Sequence, residues 1–191
     1  MPTMPGVHSP HGDLPPSPWI LRHARLVASG ASVLDIAAGR GRHSRLFAER
    51  GAKVTAVDRD AAGLAALDGL AGVRTLVADL EAGPWPFAGR SFDAIVVANY
   101  LHRPLFEPLL AALAPDGVLI YETFAIGNER YGRPSNPEFL LNPGELLERV
   151  RGRLVVVAFE QGEIRLPRPA VVQRLAAVGT SRAWPPPAEP G

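Results

Sequence analysis

Short β-branched apolar runs alternate along this chain with stretches at helical spacing. Val33–Ala37, Lys53–Val57, Val73–Val77, Phe92–Ala98 and Gly117–Thr123 are strand candidates, and most lack the polar alternation of a strand with one wet face. Such runs predict strands covered on both faces, hence a parallel sheet. Helix signals lie between them. Arg42–Arg50 follows a glycine-rich turn and stops at Gly51, which suits a helix C-terminus. Asp60 is placed to cap a helix running to about Asp68, and Leu105, Phe106, Leu109, Leu110 and Leu113 form one helical face stopped by Pro115. In Asn142-Pro143-Gly144-Glu145, Asn142 is the expected cap, Pro143 the first helical residue and Glu145 the third. Gly and Pro leave little room for a helix within Glu81–Ser91.

Five buried strands with such connections imply right-handed crossovers and an open doubly wound sheet. The end differs. Leu154–Phe159 and Ala170–Val178 read as strands joined only by Glu160–Pro169, too short for a crossover helix, so the pair is expected to form an antiparallel hairpin. The predicted fold is α/β: a doubly wound, Rossmann-like sheet of seven strands, mostly parallel, with the last strand antiparallel.

Ten of the twenty prolines lie in Met1–Pro18 or Pro185–Pro190. The domain is therefore expected over residues 19–184, with a proline-rich arm over 1–18 and a disordered proline-rich tail over 185–191. Twenty basic residues against nineteen acidic ones, a net charge of +1, leave no global pull toward nucleic acid or an anionic membrane. Lys53 is the one lysine, and the absence of cysteine excludes disulfides, thiolate nucleophiles and cysteine-based metal sites. The five histidines are scattered, without the paired spacing of a helical metal site, so no metal is expected. The N-terminal twenty residues carry no Lys or Arg and no apolar core of a secretory signal. The longest apolar runs have six residues against the ~18 that span a bilayer. A cytoplasmic protein without membrane partners is the expectation; the oligomeric state stays open.

In an open α/β sheet the ligand sits outside the carboxyl ends of the strands. Here that place is Val33-Leu34-Asp35-Ile36-Ala37-Ala38-Gly39-Arg40-Gly41-Arg42. Gly39 and Gly41 let the chain turn tightly and approach a ligand, although a plain βα turn needs the same residues. Ser44 stands where a dinucleotide fingerprint has its third glycine. Asp35, ahead of the glycines, suits a positively charged ligand better than a pyrophosphate. Asp58 ends the second strand, where an acid accepts hydrogen bonds from a ribose diol, and Asp79 follows the third, within reach of a base's exocyclic amine. One acid after a strand is usually a turn former; three in succession point to a shared ligand.

These residues together resemble the class I S-adenosylmethionine-dependent methyltransferases, over roughly residues 17–178. Ala37 stands where that family's first motif usually has its first glycine. The resemblance implies S-adenosylmethionine as cofactor, with Asp35 toward the methionine amino end and Ala37, Gly39 and Gly41 along its loop. It also implies Asp58, with Arg59 beside it, at the ribose hydroxyls, Asp79 and Leu80 at the adenine, and Asn99 after the fourth strand. The family's reversed final strand agrees with the hairpin inferred above.

Asn99-Tyr100-Leu101-His102 lacks the paired prolines of nucleic-acid amino methyltransferases. His102 is a candidate general base, or a cap on the following helix, and Tyr100 a second catalytic candidate. The stretch 127–137 after the fifth strand is long for a connection, so it reads as a substrate lid or as a spacer. Candidate substrate ligands are Arg103, Glu122, Tyr131, Arg133 and Asn136, Arg133 for its planar fork toward a carboxylate or oxyanion. This region, with its Gly132-Arg133-Pro134-Ser135-Asn136-Pro137 phrase, resembles the small bacterial tellurite-resistance and thiol methyltransferase branch, which implies a small-molecule methyl acceptor. Ser17-Pro18-Trp19 either folds over the cofactor or anchors the arm. Arg40, Arg42, Arg45 and Arg50 either track RNA or form a solvated face. An RNA or protein methyltransferase, a non-catalytic cofactor-binding protein and a nicotinamide oxidoreductase remain as alternatives.

Overall fold

A computed structural model describes residues 14–185; the expectations for 1–13 and 186–191 lie outside the described residues. Seven strands form one sheet: β1 (Ser32–Ile36), β2 (Lys53–Asp58), β3 (Val73–Val77), β4 (Phe92–Ala98), β5 (Leu113–Phe124), β6 (Leu154–Ile164) and β7 (Ala170–Gly179). Their order is β3-β2-β1-β4-β5-β7-β6, with β1 to β5 paired in parallel and β7 antiparallel to both neighbours. This is the doubly wound, mostly parallel sheet with a reversed last strand that the pattern predicts.

Successive strand residues point to opposite faces, so each apolar run feeds two cores. One face carries α1 (Pro18–His23) and α2 (Arg42–Glu49), which bury Trp19 and Phe47 against Val54, Val96 and Ile120. The other carries α4 (Phe106–Ala111) and α5 (Glu145–Val150), which pack Leu109 and Leu146 with Ile95, Val97 and Tyr121. A short α3 (Ala61–Leu64), capped by Asp60 as expected, closes Leu64 and Leu67 onto Ala56. Burying side chains of this size contributes about 1.5–3 kcal/mol each. No helix forms over residues 81–91.

Several local expectations shift. β3 is an edge strand with Val77 exposed, while Leu76 is half-buried against the core that Leu80 and Phe87 join and Val73 against Leu64 and Leu67. α4 ends at Ala111, since the Phe92 N–H bonds the Ala112 carbonyl and Leu113 already pairs with Phe92 in the sheet. α5 begins at Glu145 rather than Pro143, behind Gly144 at φ 71°. The Asn142 side chain does not cap it; the Glu145 carboxylate reaches back and accepts the Asn142 N–H at 3.0 Å. β6 runs on to Ile164, because polar Glu160, Gln161 and Glu163 suit an exposed edge strand, leaving only residues 165–169 as the hairpin loop. The Ser17 side chain accepts the Trp19 N–H to start α1, and Trp19 Nε1–H reaches the Leu175 carbonyl at 3.4 Å.

Candidate functional site

Two cavities open at the carboxyl edge of the sheet. The first, about 500 Å³, lies among Asp58 and Arg59 after β2, Ala78–Glu81 after β3, and Asn99–Leu101 after β4, with Pro134 and Phe139 from the loop after β5. The second, about 540 Å³, lies along Ala38–Arg40 and α2 and is completed by Leu14, Pro16 and Arg168. Ala37, Asn99 and Phe124 line both, so the two adjoin at the ends of β1, β4 and β5. Each is in the range of small-molecule sites, ~300–1,000 Å³.

Backbone geometry makes this junction. Gly39 and Gly41 turn the chain from β1 into α2 at φ 57° and 77°. A Cβ on Gly39 would meet nothing within 4 Å, so its face is open to a ligand, whereas one on Gly41 would run into Leu67. Ala37 and Asn99 are the two non-glycine residues with positive φ among the described residues, at 53° and 55°. Such a conformation costs alanine about 1–2 kcal/mol. Ala37→Gly is therefore expected to stabilise the protein by about 0.5–1 kcal/mol after the extra unfolded-state entropy of glycine, raising Tm by roughly 1–4 °C. Thermal melts check this, and an unchanged or lower Tm would mean that Cβ packing outweighs the strain.

The three acids have different surroundings. Asp58 Oδ2 accepts the Gly39 N–H at 2.8 Å and Oδ1 accepts the Asp60 N–H at 2.8 Å, so it ties the glycine loop to β2 while lining the first cavity. Asp79 accepts the N–H groups of Glu81 and Ala82, which hold its carboxyl below the usual range. Asp35 is buried, lines neither cavity, and accepts the Ser44 Oγ–H at 2.6 Å. Burial pushes it up to about 6 despite that bond and Arg42. A raised carboxyl disfavours the folded state at pH values above it, so the penalty is full above pH about 6 and gone below the unfolded value of 3.8. Asp35→Asn, which keeps an acceptor for Ser44, is expected to raise Tm at pH 8 by roughly 2–6 °C, a net gain near 1–2 kcal/mol. Melts at pH 8 and pH 3.5 check it: the gain should vanish at the lower pH.

The structure brings Ala37, Gly39, Asp58, Arg59, Asp79, Leu80, Asn99 and Tyr100 to the cavity walls, with Gly41 behind them as the start of α2. Burial and the adjacent Glu81 carboxylate hold the Tyr100 hydroxyl as a neutral phenol well above its ordinary range. His102 lines neither cavity; its carbonyl, not its imidazole, starts the turn before α4.

The expected substrate ligands are held elsewhere. Arg103 donates from Nε and Nη2 to Glu145, both at 2.9 Å, and to the carbonyls of Glu138 and Leu140 at 2.8 Å. Glu122 faces Arg174 at 2.6 Å, its direct neighbour on β7, because a buried carboxylate needs a countercharge. Tyr131 and Arg133 are exposed and line neither cavity, and Asn136 caps the turn Pro137–Phe139 by accepting the Glu138 N–H. From that loop Pro134 and Phe139 reach the first cavity instead.

Sequence reasoning passed over Phe124, Phe139, His43 and Arg168. Burial and Arg42 push the His43 imidazole down to about 3, so its neutral Nε2 accepts the Ser17 N–H at 3.1 Å. Arg42 bonds the Pro15 carbonyl at 3.2 Å, and together these contacts seat residues 14–17 along α2. Arg168 had a legible signal: a hairpin whose second strand runs against β5 must return its loop to the carboxyl edge.

Residues 33–117 match the family model described as a methyltransferase domain. Among solved structures, TehB from Haemophilus influenzae is similar at 16% identity and a TM-score of 0.70, covering 84% of this chain; the chain spans 61% of that protein's length. A TehB-like S-adenosylmethionine-dependent methyltransferase from Corynebacterium glutamicum is similar at 23% identity and a TM-score of 0.57, covering 82% of this chain and 86% of that one. Coclaurine N-methyltransferase, bound to N-methylheliamine and S-adenosylhomocysteine, is similar at 13% identity and a TM-score of 0.63, covering 83% of this chain and 70% of that one. At these identities the likeness is one of fold. No curated protein matches the chain. Among the described residues no helix is long and apolar enough to cross a membrane.

Proposed function

We infer that this chain, whose residues 33–117 match the model of a methyltransferase domain, is an S-adenosylmethionine-dependent methyltransferase that passes a methyl group to a small-molecule nucleophile. The observation that carries the reading is the junction of two unlike cavities at Ala37, Asn99 and Phe124. One is lined by Asp58, Asp79 and Glu81, whose acceptor oxygens fit the hydroxyls and amine of a nucleoside. The other lies along the open face of Gly39, where backbone can approach an amino-acid chain. The chain's residues thus fit the cofactor with its sulfur near the junction.

S-adenosylmethionine supplies a methyl carbon on a sulfonium, so an acceptor lone pair can take the methyl while the carbon–sulfur pair returns to sulfur. The protein's part is to orient and to exclude water. Asp58 and Asp79 hold the nucleoside end, the Gly39 loop the amino-acid end, and Phe124 shields the junction. A small acceptor is supported by the second cavity's size and by the walls that Leu14, Pro16 and Arg168 give it. Calorimetry is expected to show S-adenosylhomocysteine binding and no NAD binding, and incubation with S-adenosylmethionine and a panel of thiols and amines to yield S-adenosylhomocysteine. Binding of NAD alone would overturn the reading, and cofactor binding without turnover of any acceptor would favour a non-catalytic role.

A further inference from the structure

The second cavity is cationic. Its walls carry Arg40, Arg42, Arg45 and Arg168 against one carboxylate, Glu49. Arg42 and Arg45 donate to the backbone carbonyls of Pro15 and Ala66, and the two carboxylates whose charge acts on Arg42, Glu122 and Asp35, lie outside the walls of this cavity. Arg168 has no ion-pair partner among the described residues; its guanidinium carbon lies 5.6 Å from the ring centroid of Phe124, the ring that lines both cavities. A cation–π contact of this kind holds a guanidinium over a ring while leaving its N–H groups free to bind an anion. β7 antiparallel to β5 puts the loop bearing Arg168 at the same edge as Asn99.

We propose that the methyl acceptor carries an anionic group, such as a carboxylate, bound by Arg168 and drawn in by the arginines of α2. The proposal rests on the methyl-transfer reading and names the substrate class of that site. The cofactor's own amino-acid end brings a single carboxylate, which one guanidinium satisfies, so the remaining cations face the acceptor. Like charges in a shared cavity disfavour a cationic acceptor and focus an anionic one.

Three isosteric probes test this without knowledge of the nucleophile: 3-phenylpropionate, 3-phenylpropanol and 3-phenylpropylamine, titrated into protein saturated with S-adenosylhomocysteine. The carboxylate is expected to bind at least ~10-fold more tightly than the alcohol, and the amine more weakly than either, with the preference shrinking as salt rises. Arg168→Leu should abolish the preference and leave S-adenosylhomocysteine affinity within about two-fold, while Arg168→Lys keeps part of it. Equal binding of the three probes, a preference for the amine, or no carboxylate binding at millimolar concentration overturns the proposal alone. So does an Arg168→Leu variant that loses S-adenosylhomocysteine affinity instead, since Arg168 would then hold the cofactor. A wild-type protein that binds no S-adenosylhomocysteine overturns the methyl-transfer reading itself.

Discussion

Replacing Arg103 by leucine is expected to lower Tm by roughly 4–12 °C at pH 7. Arg103 follows the residues that line the first cavity from β4, and it grips Glu145 with two hydrogen bonds while tying the carbonyls of Glu138 and Leu140. The Glu145 side chain is 9% exposed, so losing its partner strands a nearly buried charge. Breaking a fully buried pair costs about 3–5 kcal/mol. Two features lower that figure to about 2–3 kcal/mol: Arg149 stays 3.1 Å from Glu145, and the Arg103 side chain is itself 30% exposed. The pH dependence has a definite sign. Desolvation raises the Glu145 carboxyl, but the Arg103, Asn142 and Arg149 bonds prevail and hold it at about 2. A depressed carboxyl stabilises the fold above its unfolded value, 4.5, and that stabilisation fades as pH falls toward 2. The Tm gap between wild type and Arg103→Leu should be full above pH about 4.5 and narrow below it. An unchanged Tm at pH 7 would mean that Arg149 alone satisfies Glu145.

Asp58→Ala should weaken S-adenosylhomocysteine binding at least ~10-fold. A carboxylate offers about four acceptor positions, and the N–H groups of Gly39 and Asp60 take two. Two remain for a ribose diol, at ~1.5–3 kcal/mol gross for each charge-assisted bond. The variant should also lose about 1–2 kcal/mol of stability, because both N–H donors lose their acceptor. Asp58→Asn separates the two effects: with one acceptor oxygen left, it should recover much of the stability and only part of the affinity. Calorimetry and melts on the same preparations decide. Unchanged affinity in Asp58→Ala, with a lower Tm, would make Asp58 a loop tie and nothing more.

Most of the fold was legible because covered strands are apolar throughout: β1, β2 and β4 fall within a residue of the runs read from the chain. The reversed β7 followed from the short link before it. The strand-end acids were legible too, since a position after a strand is fixed by the strand. Long charged side chains were not. Arg103 and Arg133 read as ligands because a guanidinium can reach in many directions, and only the folded chain shows that Glu145 claims the first and solvent the second. Glu145 itself read as a capping residue, and it does bond the Asn142 N–H, but its burial makes it an anchor for two arginines as well. Phe139 was not legible as part of the cavity wall, because an apolar residue in a polar loop carries no signal of which way it turns.

The position of β7 between β5 and β6 sets an order of events during synthesis. β6 leaves the ribosome first, before its partner strand β7 has been made. Until then β5, whose last eight residues are all buried in the finished protein, presents an unpaired apolar edge. Pairing of β7 with β5 closes that edge, sets Arg174 beside Glu122 and carries Arg168 over Phe124. A nascent chain halted before residue 170 would lack Leu175 and Ala176 from the two cores and would keep an open sheet edge of the kind that nucleates aggregation.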